Sequence, residues 1–243
     1  MRKIFLTGLL VSVLFALEGV LIPLYHYPSY NDTQIAQLIA LKKRYPNAYI
    51  FVILNPDNGN VTKTLYNFAF AIKRLHEAHI HPLGYVHTRY GTRANSEVME
   101  NIRAWGRIYK KWGLEGIFLD EVNGTKEQRT YYEPLMKLIR DTIGYVVLNP
   151  GTAIDQNYAS FADIIVTNES NSTHICDING TKNAILLHST PRFDANETLL
   201  RHYNYIYVTP HRMPNPWYTL SPFTEEILRR VAHGKKGVCF NNN

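Results

Sequence analysis

The stretch Gly116-Ile117-Phe118-Leu119-Asp120-Glu121-Val122 joins a short apolar run directly to two acids. The apolar run has the length of a strand that is covered on both faces, and it is too short for a helix. Adjacent carboxylates at the end of a buried strand raise each other's pKa, and partial burial raises it further. Such a pair is typical of an acid/base or nucleophilic site at the mouth of a barrel. On this stretch alone, two solvated acids at a strand end are the alternative interpretation.

The rest of the chain repeats one pattern, in which a short apolar strand is followed by a helix or by a short irregular crossover. The chain has 243 residues, of which 45% are hydrophobic, and about 250 residues is the usual size of a one-domain α/β barrel. The predicted strands are Val20–Tyr27, Ala48–Leu54, Pro82–Thr88, Gly116–Val122, Tyr145–Leu148, Asp163–Thr167, Ala184–His188 and Tyr205–Thr209. The predicted helices are Asp32–Lys43, Thr62–Ala78, Asn95–Trp112, Lys126–Thr142, Ala195–Tyr203 and Phe223–His233.

This order predicts an α/β fold, a single-domain (β/α)8 TIM-like barrel, with thin crossovers after strands five and six. An open, doubly wound sheet is the alternative topology. It is disfavoured because no glycine-rich phosphate-binding turn follows the first strand.

The N-terminus predicts a secretory signal. Arg2 and Lys3 are followed by an apolar run from Ile4 to Leu17, which is short for a bilayer span. We therefore expect residues 1–19 to be removed and residues 20–243 to form the barrel domain of a secreted, extracellular protein, free or associated with a cell wall. An uncleaved membrane anchor is the alternative; after cleavage, no stable membrane span is expected.

Two further features concern a secreted chain. Cys176 and Cys239 either pair in an oxidising compartment or stay free. Asn-X-Ser/Thr sequons agree with a glycoprotein, and they begin at Asn31, Asn60, Asn123, Asn168, Asn171, Asn179 and Asn196.

The formal net charge is +6, but the basic residues are spread over predicted helices, as at 42–44 and 110–111. Such residues are typical of solvated helix faces, so we expect no nucleic-acid partner. The cysteine spacing gives no metal motif, and we expect neither a metal nor another cofactor.

Polar side chains gather at the carboxyl ends of the predicted strands, which meet at one face in a barrel. They are His26, Asn55, His87, Asp120, Glu121, Asn149, Glu169, His188 and Thr209. Three carboxylates in one cleft favour the cleavage of a glycosidic bond. That reaction needs a protonated acid at the leaving oxygen and a second carboxylate at the anomeric carbon.

Residues 21–28, 84–93, 116–122, 146–151 and 215–218 resemble segments of the spherulin-4 family of secreted proteins. The resemblance extends from about residue 20 to about residue 230, and it implies a (β/α)8 fold. Some members are similar to endo-acting glycoside hydrolases that cut α-1,4-linked N-acetylgalactosamine in fungal galactosaminogalactan. By this resemblance the catalytic acids are Asp120, Glu121 and Glu169, and the partner is an amino-sugar polysaccharide. In the loop after the second strand, the family often has Gly-Pro-Gly, whereas this chain has Asp-Asn-Gly-Asn at residues 57–60. The resemblance therefore implies the acids but not the details of the substrate subsites.

Our hypothesis from the sequence gives each acid a role. Glu121 protonates the leaving oxygen, and Glu169 is the opposing carboxylate. Asp120 either orients the 2-acetamido group in a substrate-assisted route or raises the pKa of Glu121. The candidate substrate-binding residues are Tyr25, His26, Asn55, His87, Tyr90, Arg93, Asn149, His188 and Trp217.

These binding residues have structural alternatives. An ion pair at a helix start is an equally good expectation for Arg93. The histidines could instead form hydrogen bonds at strand ends, and the aromatic residues could pack under loops. Two other functions also stay open. One is a secreted protein that binds glycans without cutting them. The other is a metal-dependent hydrolase, although the strand-end histidines lack His-x-His and His-Glu-x-x-His spacing.

Overall fold

The computed structural model describes residues 17–193 and 197–234. Eight parallel strands form a closed barrel in which each strand pairs with its neighbours in the sequence, and the eighth pairs with the first. This confirms the predicted barrel and excludes the open sheet. The strands are β1 (Gly19–Leu24), β2 (Tyr49–Leu54), β3 (His81–His87), β4 (Gly116–Asp120), β5 (Tyr145–Leu148), β6 (Ile164–Ser170), β7 (Lys182–Leu187) and β8 (Tyr205–Val208).

Helices connect most of the strands, as predicted. They are α1 (Thr33–Arg44), α2 (Tyr66–Glu77), α3 (Asn95–Tyr109), α4 (Arg129–Thr142), α5 (Glu197–His202) and α6 (Thr224–Gly234). α2 begins four residues later than predicted because Leu65 is extended, with φ −95° and ψ 107°. The crossovers after β5 and β6 are thin, as predicted. The first contains a short 3-10 helix, Gln156–Ser160, and the second, fully described, contains no helix.

The strands are buried on both faces because helices cover the outside and side chains fill the barrel. β1, for example, is buried at all six residues. Near the amino ends of the strands, Phe51 meets Tyr145 and Tyr205 edge-on at centroid distances of 5.2 and 5.3 Å and stacks on His81 at 4.7 Å. These rings form an aromatic base near the amino ends of the strands, and a cavity of about 550 Å³ beside the base is lined by Phe51, Tyr145 and Tyr205 among others.

The predicted signal segment lies mostly outside the described residues, which begin at Leu17. β1 starts at Gly19, one residue before the predicted strand, and pairs there with Tyr49 and Tyr205. Within the described residues, no helix is both long enough and apolar enough to cross a membrane. Cys239 and the sequon at Asn196 also lie outside the described residues, so the two alternatives for Cys176 and Cys239 both stay open.

The packing of α3 on β3 depends on a glycine. A Cβ at Gly84 would lie 2.5 Å from the Trp105 ring, whereas a Cβ at Gly106 of α3 would meet Ile143 at 3.4 Å. Trp105 is fully buried, so its ring has little room to move away from an added methyl group.

We therefore expect Gly84→Ala to lower the free energy of unfolding by about 1–3 kcal/mol through overpacking. Gly106→Ala is the matched control, because it replaces a glycine of α3, the helix that packs on β3. This variant should be neutral or stabilising by up to about 1 kcal/mol. Urea denaturation of both variants provides the measurement. Equal stability of the wild type and Gly84→Ala would contradict this packing of α3 on β3.

Candidate active site

One amide joins two carboxylates at the carboxyl ends of β4, β5 and β6. Asn149, which follows β5 and is 4% exposed, donates from Nδ2 to Asp120 Oδ1 at 2.7 Å and to Glu169 Oε2 at 2.5 Å. Both distances share the amide nitrogen, so these two carboxylate oxygens are separated by at most their sum, about 5.2 Å. Asp120 and Glu169 therefore form a close pair in the barrel mouth.

The local sequence explains the orientation of this amide. Asn149 Oδ1 accepts from the backbone N–H of Gly151 at 3.0 Å, which is an Asx turn. Gly151 has φ +67°, a conformation that favours glycine. Because the turn uses the amide oxygen, the amide NH2 group faces the acids.

The strand that carries Glu169 is irregular. β6 shifts its register against β7 between Val166 and Asn168, and such a bulge re-aims the side chains that follow it. The predicted strand ended at Thr167, but the observed strand continues through Glu169 to Ser170. Glu169 thus belongs to the barrel wall and not to a loop.

Asp120 accepts three hydrogen bonds. Besides Asn149, the donors are the hydroxyl of Tyr85 to Oδ2 at 2.7 Å and the backbone N–H of Glu121 to Oδ1 at 2.9 Å. Hydrogen bonds of this kind favour the charged form of a carboxyl group. Tyr85 is 5% exposed and was not among the candidate residues.

The two carboxyl groups differ in their electrostatic surroundings. Burial raises the pKa of Asp120, and the charge of Glu121 adds to this, while the three hydrogen bonds act in the opposite direction. Burial, followed by the charge of Asp120, raises the pKa of Glu169 to about 7, against the lowering effect of hydrogen bonds from Asn149 and Trp217. Since two close carboxylates do not readily ionise together, the pair holds one proton up to about neutral pH. The richer set of donors places the charge on Asp120 and the proton on Glu169.

Glu121 occupies the rim of the mouth. Its backbone has φ +54°, a left-handed conformation that is costly for a residue with a side chain. Its Oε2 accepts from the backbone N–H of Arg89 at 3.2 Å, and its carbonyl accepts from Thr88 Oγ1 and from Tyr90 N–H, each at 2.7 Å. Glu121 is therefore bound to the loop that follows β3.

Aromatic side chains enclose the acid pair. Tyr25 lies edge-on to Tyr85 at a centroid distance of 5.5 Å, and burial, followed by the charge of Asp120, raises its pKa. Trp217 accepts from Tyr25 N–H at its carbonyl, at 2.8 Å, and is edge-on to His188 at a centroid distance of 6.0 Å. Tyr90 is 58% exposed at the rim.

Other candidate residues are held by partners in the scaffold. His26 is buried, and its Nε2 lies 2.7 Å from Asp32 Oδ2, at the start of α1. The guanidinium of Arg93 donates to the carbonyl of His87 at 2.7 Å and to Asn101 Oδ1 at 2.8 Å. The contacts of His26 agree with the structural alternative. Arg93 makes hydrogen bonds in place of the expected ion pair and lines a groove together with His87, so its role in binding stays a prediction.

His87 and Asn55 are intermediate cases. His87 is the register partner of Asp120 and hydrogen-bonds the carbonyl of Asn58 through Nδ1 at 3.1 Å. Asn55 precedes the short 3-10 helix Pro56–Gly59, and its Oδ1 is buried without a hydrogen-bond partner in the structure.

The sequence does contain a signal for Tyr85. It precedes His87 by two residues on β3, so both side chains lie on the same face of the strand. Its register partner Phe118 likewise precedes Asp120 by two residues on β4. A candidate placed two residues before each strand-end residue would have included Tyr85.

A cluster of histidines lies at the opposite end of the barrel. His81, at the start of β3, and His76 of α2 contact the carboxylate of Glu115 through Nδ1 at 2.6 and 2.8 Å. Within residues 17–193 and 197–234, no group of three or more His, Cys, Asp or Glu side chains is arranged to hold a metal ion.

Comparisons with known proteins agree on one family and one fold. The family model described as Spherulation-specific family 4 matches residues 19–231. Spherulin-4 of Physarum polycephalum is 32% identical over 158 residues, which are 64% of this chain and 46% of that protein. The chain thus spans about half the length of this curated relative.

Solved structures share the barrel. The crystal structure of Aspergillus clavatus Sph3 in complex with GalNAc has a TM-score of 0.74 at 22% identity, covering 88% of this chain and 97% of that one. A tryptophan synthase structure from Mycobacterium tuberculosis has a TM-score of 0.51 at 10% identity, covering 89% and 93%. At these identities the likeness concerns the fold.

The raised pKa of Glu169 makes stability depend on pH. A folded pKa of about 7 lies above the ordinary value of 4.5, so the stability contributed by the bound proton is complete below the unfolded value and is lost as the pH rises through about 7. A glutamine in place of Glu169 would not ionise. We therefore expect the difference in Tm between Glu169→Gln and the wild type, measured by calorimetry, to shift in favour of the variant as the pH rises from about 4 to about 8. Glu133→Gln, on the exposed face of α4, controls for the loss of a carboxylate; a Tm difference for Glu169→Gln that is independent of pH would contradict the raised pKa.

Proposed function

The chain belongs to the spherulin-4 family, and from that premise we propose that it is a secreted glycoside hydrolase that cleaves an α-1,4-linked, N-acetylgalactosamine-containing polysaccharide from within. The observation that carries this proposal is the pair formed by Asp120 and Glu169 across Asn149. A protonated carboxyl group beside a charged one is what the cleavage of a glycosidic bond requires.

The charge distribution assigns the roles differently from the sequence hypothesis. Glu169, with a pKa of about 7, is the general acid that protonates the leaving oxygen near neutral pH. Asp120 is the carboxylate that attacks or stabilises the anomeric carbon. Glu121, at the rim, binds substrate and does not supply the proton.

The separation of the pair is relevant to the stereochemistry. Carboxyl groups about 5–5.5 Å apart are typical of retaining glycosidases, whereas inverting enzymes hold them about 6.5–9.5 Å apart to admit a water molecule. The limit of about 5.2 Å between Asp120 Oδ1 and Glu169 Oε2 supports retention. Direct attack by Asp120 and attack by the substrate's own acetamido group, with Asp120 orienting it, are both compatible with retention.

Several features support a polymeric amino sugar as the substrate. Tyr25 and Tyr90 offer aromatic faces beside the acids, and aromatic rings pack on apolar surfaces while their hydroxyls stay polar. A groove of about 730 Å³ lies beside the start of α3 and is lined by His87, Arg89 and Glu97 among others, and His87 is the register partner of Asp120. A structurally similar protein, Sph3, was crystallised with GalNAc.

The sequons near the site are relevant to secretion. Asn168 is 2% exposed, and its Nδ2 donates to the carbonyls of Ser172 and His174 at 3.2 and 3.0 Å. A glycan at Asn168 does not fit this fold, whereas a secreted chain still has exposed sequons such as Asn31 and Asn60.

Product release from an N-acetylgalactosamine-rich polymer, followed by mass spectrometry, tests the roles. We expect oligosaccharides from the wild type and a loss of about 100-fold or more in rate for Glu169→Gln and for Asp120→Asn, because each removes one half of the acid pair. Glu121→Gln should lose about tenfold or less, since its side chain hydrogen-bonds the rim. Glu77→Gln, in an exposed pair with Lys73 on α2, should equal the wild type.

Two results would change the proposal. Full activity of Glu169→Gln would remove the acid role from Glu169. Binding of the polymer by the wild type without any product would favour the non-catalytic glycan-binding alternative.

A further inference from the structure

Tyr85 is held rigidly within the barrel. Its ring stacks on Phe118 at a centroid distance of 6.2 Å and meets Tyr25 edge-on at 5.5 Å. Its carbonyl accepts from Trp105 Nε1 at 3.0 Å, and strand pairing fixes it beside Phe118. The direction of the hydroxyl is therefore set by packing that does not depend on Asp120.

The hydroxyl of Tyr85 is a donor and stays one. Burial, followed by the charge of Asp120, raises the pKa of Tyr85 far above the ordinary 10. Tyr85 therefore keeps its proton throughout the range in which carboxyl groups titrate. Its hydroxyl faces Asp120 Oδ2, while Asn149 and the Glu121 N–H donate to Oδ1.

The hydrogen-bond donors around the pair are distributed unequally between Asp120 and Glu169. Asn149 donates to both carboxyl groups and so favours neither. The Trp217 indole hydrogen-bonds Glu169, and the Glu121 N–H hydrogen-bonds Asp120, one donor on each side. The hydroxyl of Tyr85 is then the donor that makes the two sides different.

We propose that Tyr85 is a positioning residue of this site: by donating to Asp120 Oδ2 it holds Asp120 as the charged member of the pair and leaves the proton on Glu169. The inference rests on the proposed function for its kinetic consequence, but the location of the proton is measurable without substrate. Tyr85 acts through Asp120 and does not exchange protons itself.

Other ionisable groups face Asp120 from the elements packed around it, and all of them are kept in the test. They are Tyr25 after β1, His87 of β3, Tyr90 of the following loop, Glu121 after β4 and Glu169 of β6.

The test is a pH titration of the Trp217 fluorescence in the protein without substrate. The Trp217 side chain contacts Glu169 and also His188, whose ring lies edge-on at 6.0 Å, so its emission responds to both groups, and a Glu169→Gln protein gives the part of the signal that does not come from Glu169. The chain has three tryptophans, and a Trp217→Phe protein gives the signal of the other two for subtraction. In the wild type we expect one main step at about pH 7.

Tyr85→Phe removes the hydroxyl and keeps the ring. The proton of the pair should then be shared between Asp120 and Glu169. We expect the step near pH 7 to lose about half its amplitude, with the lost part appearing at a more acid pH. With the polymer as substrate, the acid limb of the kcat/KM profile should move up by about one pH unit. kcat at neutral pH should fall about tenfold while KM changes less than about twofold.

Tyr205→Phe is the matched control. Tyr205 is another buried barrel tyrosine whose hydroxyl donates to a carboxylate, Glu18, at 3.3 Å, but it lies at the opposite end of the barrel. Its titration and its pH profile should equal those of the wild type.

Three results would overturn the proposal. One is a Tyr85→Phe titration identical to the wild type. Another is the same change in Tyr205→Phe, which would show a general effect of losing a buried hydroxyl. The third is a wild type without the step near pH 7, which would mean that Glu169 does not hold the proton. A wild type that shows the step but does not hydrolyse the polymer would refute the proposed function, and the titration of Tyr85→Phe would still decide the role of Tyr85.

Should Tyr85→Phe fail to fold by circular dichroism, Asp120→Asn provides the second measurement. The charge of Asp120 is one cause of the raised pKa of Glu169, so the midpoint of the Trp217 step should fall in this variant. An unchanged midpoint would show that Asp120 is not the charged partner and would overturn the proposal.

Discussion

The amide of Asn149 is the interaction on which the site depends. It belongs to Asn149, which directly follows β5, the strand between the two that carry the acids, and its NH2 group contacts both carboxylates. Two carboxyl groups so close in a buried site do not readily ionise together, because burial and the first charge both disfavour the second charge. The amide therefore holds together a pair that would repel if both members were charged, and the single proton of the pair follows from this constraint.

The barrel supplies the precision that such a pair needs. Strand pairing fixes Asp120 beside His87, and the turn 149–151 fixes the Asn149 amide by its oxygen. The aromatic base around Phe51 packs at the other end of the barrel, and the acid pair lies at the carboxyl ends of the strands. Side chains such as Arg93 and His26 hold the loops of that face, which keeps the rim in place around the pair.

The sequence predicts the barrel well because each strand is a short apolar run with a polar residue at its end. Asp120, Asn149 and Glu169 were all identified on that basis. The hydrogen-bond partners of His26 and Arg93 were not predictable from the sequence. These partners, Asp32 and Asn101, depend on how the loops pack against the helices. Strand-end position alone does not distinguish a residue that faces the cleft from one that supports a loop.

The charge state of the acids could not be predicted from the sequence either. Adjacent Asp120 and Glu121 suggested that they act on each other, yet the close partner of Asp120 is Glu169, forty-nine residues away in the chain. The donors around the pair come from β3, from the turn after β5 and from the loop after β8, all distant from Asp120 in the chain. Tyr85, inside an apolar run, has no local feature beyond its strand position that marks it as polar in function.

The backbone of Glu121 has a consequence for the way in which this protein can change. A left-handed φ of +54° is tolerated by glycine at little cost and by glutamate only with strain. Glycine at this position would relieve the strain and remove a rim carboxylate at once. Selection of random variants for heat resistance alone would therefore favour glycine at 121 and erode the rim, whereas selection for substrate turnover would keep the strained glutamate.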